Sequence, residues 1–171
     1  MEPCKTATPE DIEIIAHLHT LSWQTAYRGI LSEDYLDHHV RADRMKVWTK
    51  RLNAPADNQI IFLQEMDGTA VGFVCAYGSS ADEFGTFIDN LHVLPGFKGK
   101  GIGRALMSQV SQWSREHFHQ PKLYLKVLKD NYPARRFYDK VGGRPQALFS
   151  ETMPGGAVTD VYRYVWDEFA F

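Results

Sequence analysis

The sequence predicts a single-domain protein of the α/β (α+β) class, in which helices cover both faces of a mixed sheet. Three observations lead to this prediction. Helical patterns precede an alternating hairpin, two strand–helix units follow that hairpin, and a second hairpin ends the pattern. The length of 171 residues suits one domain, residues 1–171, that buries a sizeable core.

The first helical signal is Thr8-Pro9-Glu10-Asp11, where a capping residue precedes a proline and two acids. Apolar residues then recur at helical spacing. The predicted helices run from there to about Ser22, from Leu31 to about Leu52 as one or two helices, from Gly101 to about His117, and over Tyr132–Val141.

Strand patterns are bounded by turn residues, above all Met66-Asp67-Gly68 and Pro154-Gly155-Gly156. The predicted strands are Gln59–Glu65, Thr69–Tyr77, Thr86–Val93, Lys122–Val127, Pro145–Thr152 and Ala157–Trp166. Strict alternation in the third strand predicts one face of Phe87, Asp89, Leu91 and Val93, and an opposite face of Ile88, Asn90 and His92.

Composition excludes several classes of protein. A net charge of −2 argues against a dedicated nucleic-acid binder, and no apolar run approaches the about 20 residues of a membrane span. The first residues lack the apolar segment of a secretory signal. With only Cys4 and Cys75, a disulfide framework is not expected, so we expect a cytoplasmic protein.

The seven histidines include close pairs, but none has the spacing of a zinc site. We therefore expect no metal, and interpret the pairs as exposed or capping residues. These pairs are His17-x-His19, His38-His39 and His117-x-His119.

A glycine-rich junction between strand and helix, Val93–Leu106, is the most informative segment. Its four glycines and its cations Lys98, Lys100 and Arg104 surround a helix N-terminus, which favours an anion. The spacing does not match a P-loop. A dinucleotide fingerprint fits poorly because Leu106 stands where a small residue belongs, and a tight turn without a ligand would not require so many glycines and cations.

Lys98-Gly99-Lys100-Gly101-Ile102-Gly103 resembles the pyrophosphate loop of the GCN5-related N-acetyltransferases, Gln/Arg-x-x-Gly-x-Gly/Ala, with Lys98 in place of the usual arginine or glutamine. A second segment, Leu125–Gly143, is similar to the next block of that family. There Asn131, Ala134, Phe137, Tyr138 and Gly142 match in the expected order.

The resemblance implies the acyl-CoA N-acyltransferase fold, with a mostly antiparallel sheet of six to seven strands. It also implies direct acetyl transfer from acetyl-CoA to an amine, with Tyr138 as the general acid. The residues that it assigns to the cofactor are Leu91, His92, Val93, Lys98, Gly99, Lys100, Gly101, Ile102, Gly103, Arg104, Asn131 and Tyr138.

The base that receives the amine proton stays open. Relatives often carry glutamate near Phe87; here Asp89, acting through a water molecule, is the first choice, and His92, Glu83 or water alone are the alternatives. Trp23 and Tyr27 lie in a segment that resembles S-W-x-x-x-Y-x-G, and we interpret them as lining the acceptor pocket, with core packing as the alternative.

The expected function is N-acetylation of a small-molecule primary amine. The alternatives are acetylation of a protein N-terminus or lysine, and a CoA-binding module without turnover. A homodimer that uses the aromatic run Tyr162–Phe171 is a further hypothesis.

Overall fold

The computed structural model describes residues 3–78 and 83–169. Its strands are β1 (Lys5–Thr6), β2 (Gln59–Met66), β3 (Thr69–Tyr77), β4 (Thr86–Val93), β5 (Leu123–Leu128), β6 (Arg144–Thr152) and β7 (Val158–Trp166). Its α-helices are α1 (Ile12–Ala26), α2 (Val40–Asn53), α3 (Ile102–Phe118) and α4 (Tyr132–Lys140). Short 3₁₀ turns occupy Pro9–Asp11 and Pro95–Phe97, and a π-helical turn at Tyr35–His39 leads into α2.

The strands form one sheet in the order β1-β2-β3-β4-β5-β7-β6. All neighbouring pairs are antiparallel except β4 and β5, which are parallel. This confirms the predicted mixed, mostly antiparallel sheet. The two-residue strand β1 was not predicted, and it adds a seventh strand by pairing with β2.

Helices cover both faces of the sheet, as predicted. On one face, Ile15 of α1 and Trp48 of α2 pack against Phe73 and Cys75 of β3. On the other face, the apolar stripe of α3 packs with Tyr138 of α4 against β3, β4, β5 and β7. The cavity described below lies where the sheet between these two layers opens.

The sheet opens between β4 and β5. These parallel strands pair only at Thr86–Ile88 with Leu123–Leu125, although β4 continues to Val93 and β5 to Leu128. On their other edges both strands stay paired to their ends, β4 with β3 and β5 with β7. The two strands therefore diverge and turn unpaired backbone edges toward each other.

A β-bulge at Asp89 overturns the predicted alternation in β4. Cys75 of β3 pairs with Asn90 and Ala76 pairs with Ile88, so Asp89 is the extra residue. Ile88 consequently packs into the same core as Leu91 and Val93 rather than sharing a face with Asn90. An extra residue shifts the side-chain phase by one position, which a period-2 pattern cannot show in advance.

The aromatic residues at the C-terminal end serve the core of this domain. Tyr164, Trp166 and Phe169 are all 3% exposed or less. The part of the Tyr162–Phe171 run that the structure describes therefore does not offer these rings to a second copy, and residues 170 and 171 lie outside it. Of the helices described, none has the length and apolar character needed to cross a membrane.

Candidate active site

A cavity of about 860 Å³ is lined by the diverging strands and by residues of all four α-helices. It contains almost every residue that the sequence predicted for the site. These are Trp23, Tyr27, Asp89, Leu91, His92, Val93, Lys98, Gly99, Gly101, Ile102, Gly103, Arg104, Asn131 and Tyr138. Lys100 is the exception: it lies outside the lining, with its ammonium 4.9 Å from the ring centroid of Phe97.

The loop before α3 presents backbone amides to the cavity. Gly99 and Gly101 have φ values of 81° and 83°, in the left-handed region that favours glycine. The first hydrogen bond of the helical ladder runs from the Ala105 N–H to the Gly101 carbonyl at 3.0 Å. The amides of residues 102–104 precede that bond, so they are the donors that a helix N-terminus offers to an anion.

Gly103 has a packing role that the sequence motif does not reveal. A Cβ atom at this position would lie 2.9 Å from Cζ of Phe137. The missing side chain therefore lets α4 approach the first turn of α3. We expected Gly103 to serve a ligand's approach, but in the structure its nearest constraint is a ring on the neighbouring helix.

Asn131 positions the start of α4 beside the cavity. Its side-chain oxygen accepts a hydrogen bond from the Ala134 N–H at 3.3 Å, which makes Asn131 the N-cap of the helix. About two helical turns after Asn131, Tyr138 is 8% exposed and packs among the rings of Phe137, Tyr164 and Trp166.

The phenols of Tyr138 and Tyr27 are both electrically neutral over the physiological pH range. Burial raises the pKa of Tyr138 well above its usual range, and the nearby Tyr27 raises it further. Burial likewise raises the pKa of Tyr27 to about 12. Both side chains line the cavity and can therefore serve as proton or hydrogen-bond donors.

Asp89 lines the cavity but is engaged by an arginine of α2. Its Oδ2 lies 2.7 Å from Nη1 of Arg51, and the same nitrogen donates to Oδ1 of Asn90 at 2.8 Å. Both charged side chains are 25% exposed. Glu83, an alternative base, lies outside this cavity, where its carbonyl accepts a hydrogen bond from Lys122.

His92 lines the cavity and continues into a buried aromatic cluster. Its Nδ1 lies 2.7 Å from Oγ of Ser22, and its ring centroid is 4.5 Å from that of His19. Burial is the main cause that lowers the pKa of His92 to about 3, and the positive charges of Lys98 and Arg44 add to it. His92 is therefore neutral at pH 7 and a weak base.

His19 is fully buried, so the expectation that it is exposed or a cap was wrong. Its Nδ1 accepts a hydrogen bond from Nε1 of Trp48 at 3.0 Å, and burial lowers its pKa well below the usual value. Trp48 is itself fully buried in the core. A sequence signal was present, because His19 falls on the apolar side of α1 with Ile15.

Arg44 belongs to the site but was missed by the sequence analysis. It lines the cavity, is 7% exposed, and holds its guanidinium carbon 4.4 Å from the ring centroid of Trp23. On α2 it occupies a row with Val40 and Trp48 at helical spacing, both buried. A charged residue in an otherwise apolar row was the available signal.

Comparison with known proteins finds a family match over most of the chain. Residues 14–143 match the model of the acetyltransferase (GNAT) family. An uncharacterised N-acetyltransferase of Archaeoglobus fulgidus is 33% identical over 141 residues, which cover 78% of this chain and 87% of that protein. The spermidine N(1)-acetyltransferase of Thermoplasma acidophilum is 25% identical over 139 residues, covering 78% and 82% of the two chains.

Among solved structures, the PaiA N-acetyltransferase of Thermoplasma acidophilum in complex with coenzyme A has the same fold. It superimposes with a TM-score of 0.70 at 19% identity, and the match covers 95% of this chain and 98% of that one. The family match, the relatives and the fold together show that this chain belongs to the GNAT family and is an N-acetyltransferase.

Proposed function

We propose that this protein transfers an acetyl group from acetyl-CoA directly to the primary amine of a small molecule. One observation carries the proposal: a single cavity brings together the amides at the start of α3, the unpaired edges of β4 and β5, and the Tyr138 phenol. Family membership supports the use of acetyl-CoA. The small-molecule acceptor is supported by the substrate that gives the Thermoplasma acidophilum relative its name.

The loop residues fit the pyrophosphate of CoA. A Cβ atom on Gly99 would meet no atom within 4 Å, so the backbone there is open to a close approach. The amides of residues 102–104 would donate to phosphate oxygens, and the side chains of Lys98 and Arg104 line the same part of the cavity. The lysine supplies charge without the planar fork of an arginine.

The backbone of β4 fits the amide-bearing pantetheine arm. Beyond Ile88 this strand has no partner on its β5 side, although backbone N–H and C=O groups need hydrogen bonds. An extended chain with amide groups can pair with Leu91, His92 and Val93 as an added strand would. Asn131 lies on the other side of the opening.

Tyr138 fits the role of general acid. Bound acetyl-CoA supplies the acetyl group, and its thiol leaves when the amine attacks. The Tyr138 phenol keeps its proton at neutral pH because burial raises its pKa, and it can donate that proton to sulfur. Direct attack also agrees with Cys75, because burial raises the pKa of its thiol to about 12 and so disfavours a nucleophilic thiolate.

Asp89 remains our proposed base, acting through water. Asp89 lines the cavity, and its ion pair with Arg51 fixes its carboxylate in place. His92 also lines the cavity, but its Nδ1 is engaged by the Ser22 hydroxyl and its ring packs against His19. Glu83 is set aside because it lies outside the cavity.

The experiment is to measure CoA release from acetyl-CoA in the presence of a panel of amines, amino acids and lysine-containing peptides. We expect steady release with one or more small amines, and an N-acetyl product identified by mass spectrometry. Tight acetyl-CoA binding without turnover on any member would favour the non-catalytic module. Turnover restricted to peptides would favour protein acetylation instead.

A further inference from the structure

The acceptor side of the cavity holds a nearly buried arginine that the proposed reaction does not use. Arg44 lies over the indole of Trp23, at 4.4 Å from its ring centroid, and both residues line the cavity. Trp23 in turn contacts Tyr27, whose phenol influences Tyr138. Arg44 and Trp23 therefore lie on the Tyr27 side of the cavity, where we expect the acceptor to bind.

Arg44 and Trp23 each have one hydrogen-bond donor for which the described residues supply no acceptor. Arg44 forms one ion pair, from Nη2 to Oδ2 of Asp43 at 3.0 Å, and Asp43 lies outside the cavity lining. Among the residues that the structure describes, neither Nε of Arg44 nor Nε1 of Trp23 has a hydrogen-bond partner, although both atoms are buried. Buried polar groups are normally paired, and a buried charge needs more than one partner.

Two other cations of the cavity lining are each paired with a carboxylate of the same lining. Arg51 is neutralised by Asp89 at 2.7 Å, and Lys126 forms an ion pair with Glu151. The histidines add no positive charge, because burial lowers the pKa of His19 and His92, and the field of Arg44 lowers both further. The carboxylate that pairs with Arg44 belongs to Asp43, outside the lining, so Arg44 together with Lys98 contributes positive potential to this part of the cavity.

We propose that the acceptor amine carries a carboxylate, which the Arg44 guanidinium binds. This inference rests on the proposed function. A guanidinium matches the geometry of a carboxylate, and a partly desolvated pair of this kind is strong. Spermidine, which names the Thermoplasma acidophilum relative, has ammonium groups only, and Arg44 would repel them.

The test compares amino acids with the amines that they give on decarboxylation. The pairs are phenylalanine with phenethylamine, leucine with 3-methylbutylamine, and lysine with cadaverine, and spermidine is added as a polycation. We expect the carboxylate-bearing member to have the higher kcat/KM. Arg44→Gln should lower kcat/KM by about 10- to 100-fold for that member, since bonds to charged groups have this strength, and leave its partner nearly unchanged.

Arg41→Gln is the matched control, because Arg41 is an exposed arginine on the same helix and should not alter the preference. Arg44→Lys keeps the positive charge but lacks the planar, two-pronged donor group of arginine. Its kcat/KM for the carboxylate-bearing substrate should lie between those of the wild type and Arg44→Gln. Arg44→Lys also tests the inference if Arg44→Gln does not fold. An equal loss for both members of a pair, or a wild-type preference for cadaverine or spermidine, would overturn the inference.

A binding experiment separates this inference from the reaction itself. If no amine is acetylated, the proposed function has failed, and calorimetry with CoA present can still compare N-acetylphenylalanine with N-acetylphenethylamine. Tighter binding of the carboxylate form, lost in the Arg44 variants, would support the carboxylate site on its own. Equal binding of the two compounds would refute it.

Discussion

Replacing Tyr138 by phenylalanine removes one hydroxyl group from the cavity and little else. The ring keeps its contacts with Phe137, Tyr164 and Trp166. Within the described residues the hydroxyl has no protein hydrogen-bond partner, so the variant leaves no buried donor or acceptor unmatched. We therefore expect the free energy of unfolding to change by less than about 1 kcal/mol, which corresponds to about 2–4 °C in Tm.

The effect on catalysis should be much larger. A positioned general acid contributes about 10²-fold or more to the rate, so kcat should fall by at least that factor, or about 2.7 kcal/mol in activation free energy. The KM for acetyl-CoA should change little, because the loop and β4 supply the binding contacts. The raised pKa of Tyr138 also means that its protonation should not limit kcat below about pH 10.

The assay measures thiol release at saturating acetyl-CoA, with Tm from thermal unfolding of the same samples. Tyr132→Phe is the matched control, since Tyr132 is 56% exposed at the start of the same helix and should retain full activity. Unchanged kcat in Tyr138→Phe would refute the general-acid role. A loss of kcat that accompanies an equal loss of acetyl-CoA affinity would assign Tyr138 to binding instead.

Three further predictions concern the loop, the base and acid stability. Gly101→Ala should raise the KM for acetyl-CoA by about 5- to 30-fold, because a left-handed residue with a Cβ costs about 1–2 kcal/mol and the loop can relax away from it; Gly68→Ala, with a φ of 72° in the hairpin turn, should lose stability without that change in KM. Asp89→Asn should lower kcat/KM by about 10²-fold, whereas Glu83→Gln should leave it unchanged; equal kcat/KM values for the two variants would exclude Asp89 as the base. Because the folded pKa of His92 is lowered to about 3, the unfolded chain binds its proton first on acidification, so stability should fall from about pH 6.5 downward, by at most about 1.4 kcal/mol per pH unit for this group. Unfolding monitored from pH 8 to pH 4 should show a shallower decline in His92→Asn, and an identical slope would contradict this assignment.

Local sequence signals predicted the elements well, because the residues that carry them act within a few positions. The hairpin turn follows from Asp67 and Gly68, which adopt φ values of 51° and 72°, and Asn131, a residue type that favours N-caps, caps α4. The bounds of β3 and β4 are those that the pattern predicted. The helix and strand ends that differ do so by a few residues, where capping and packing decide.

The features that the sequence did not predict depend on distant partners. The bulge at Asp89 is a property of the pairing between β3 and β4, so it is absent from the pattern of β4 alone. The contact between Gly103 and Phe137 joins two helices separated by a strand. Arg44 reaches its place over Trp23 only because α1 and α2 pack together, and no local rule predicts that contact.

The short pairing between β4 and β5 also gives the sheet a mechanical property. The strands are hydrogen-bonded at Thr86–Ile88 with Leu123–Leu125 and are not paired with each other beyond these positions. A ligand that forms hydrogen bonds with both unpaired edges would hold the two strands at a fixed separation. Slower amide hydrogen exchange along Leu91–Val93 on addition of CoA would then report that these amides have become hydrogen-bonded and the strands restrained, independently of any acceptor or turnover.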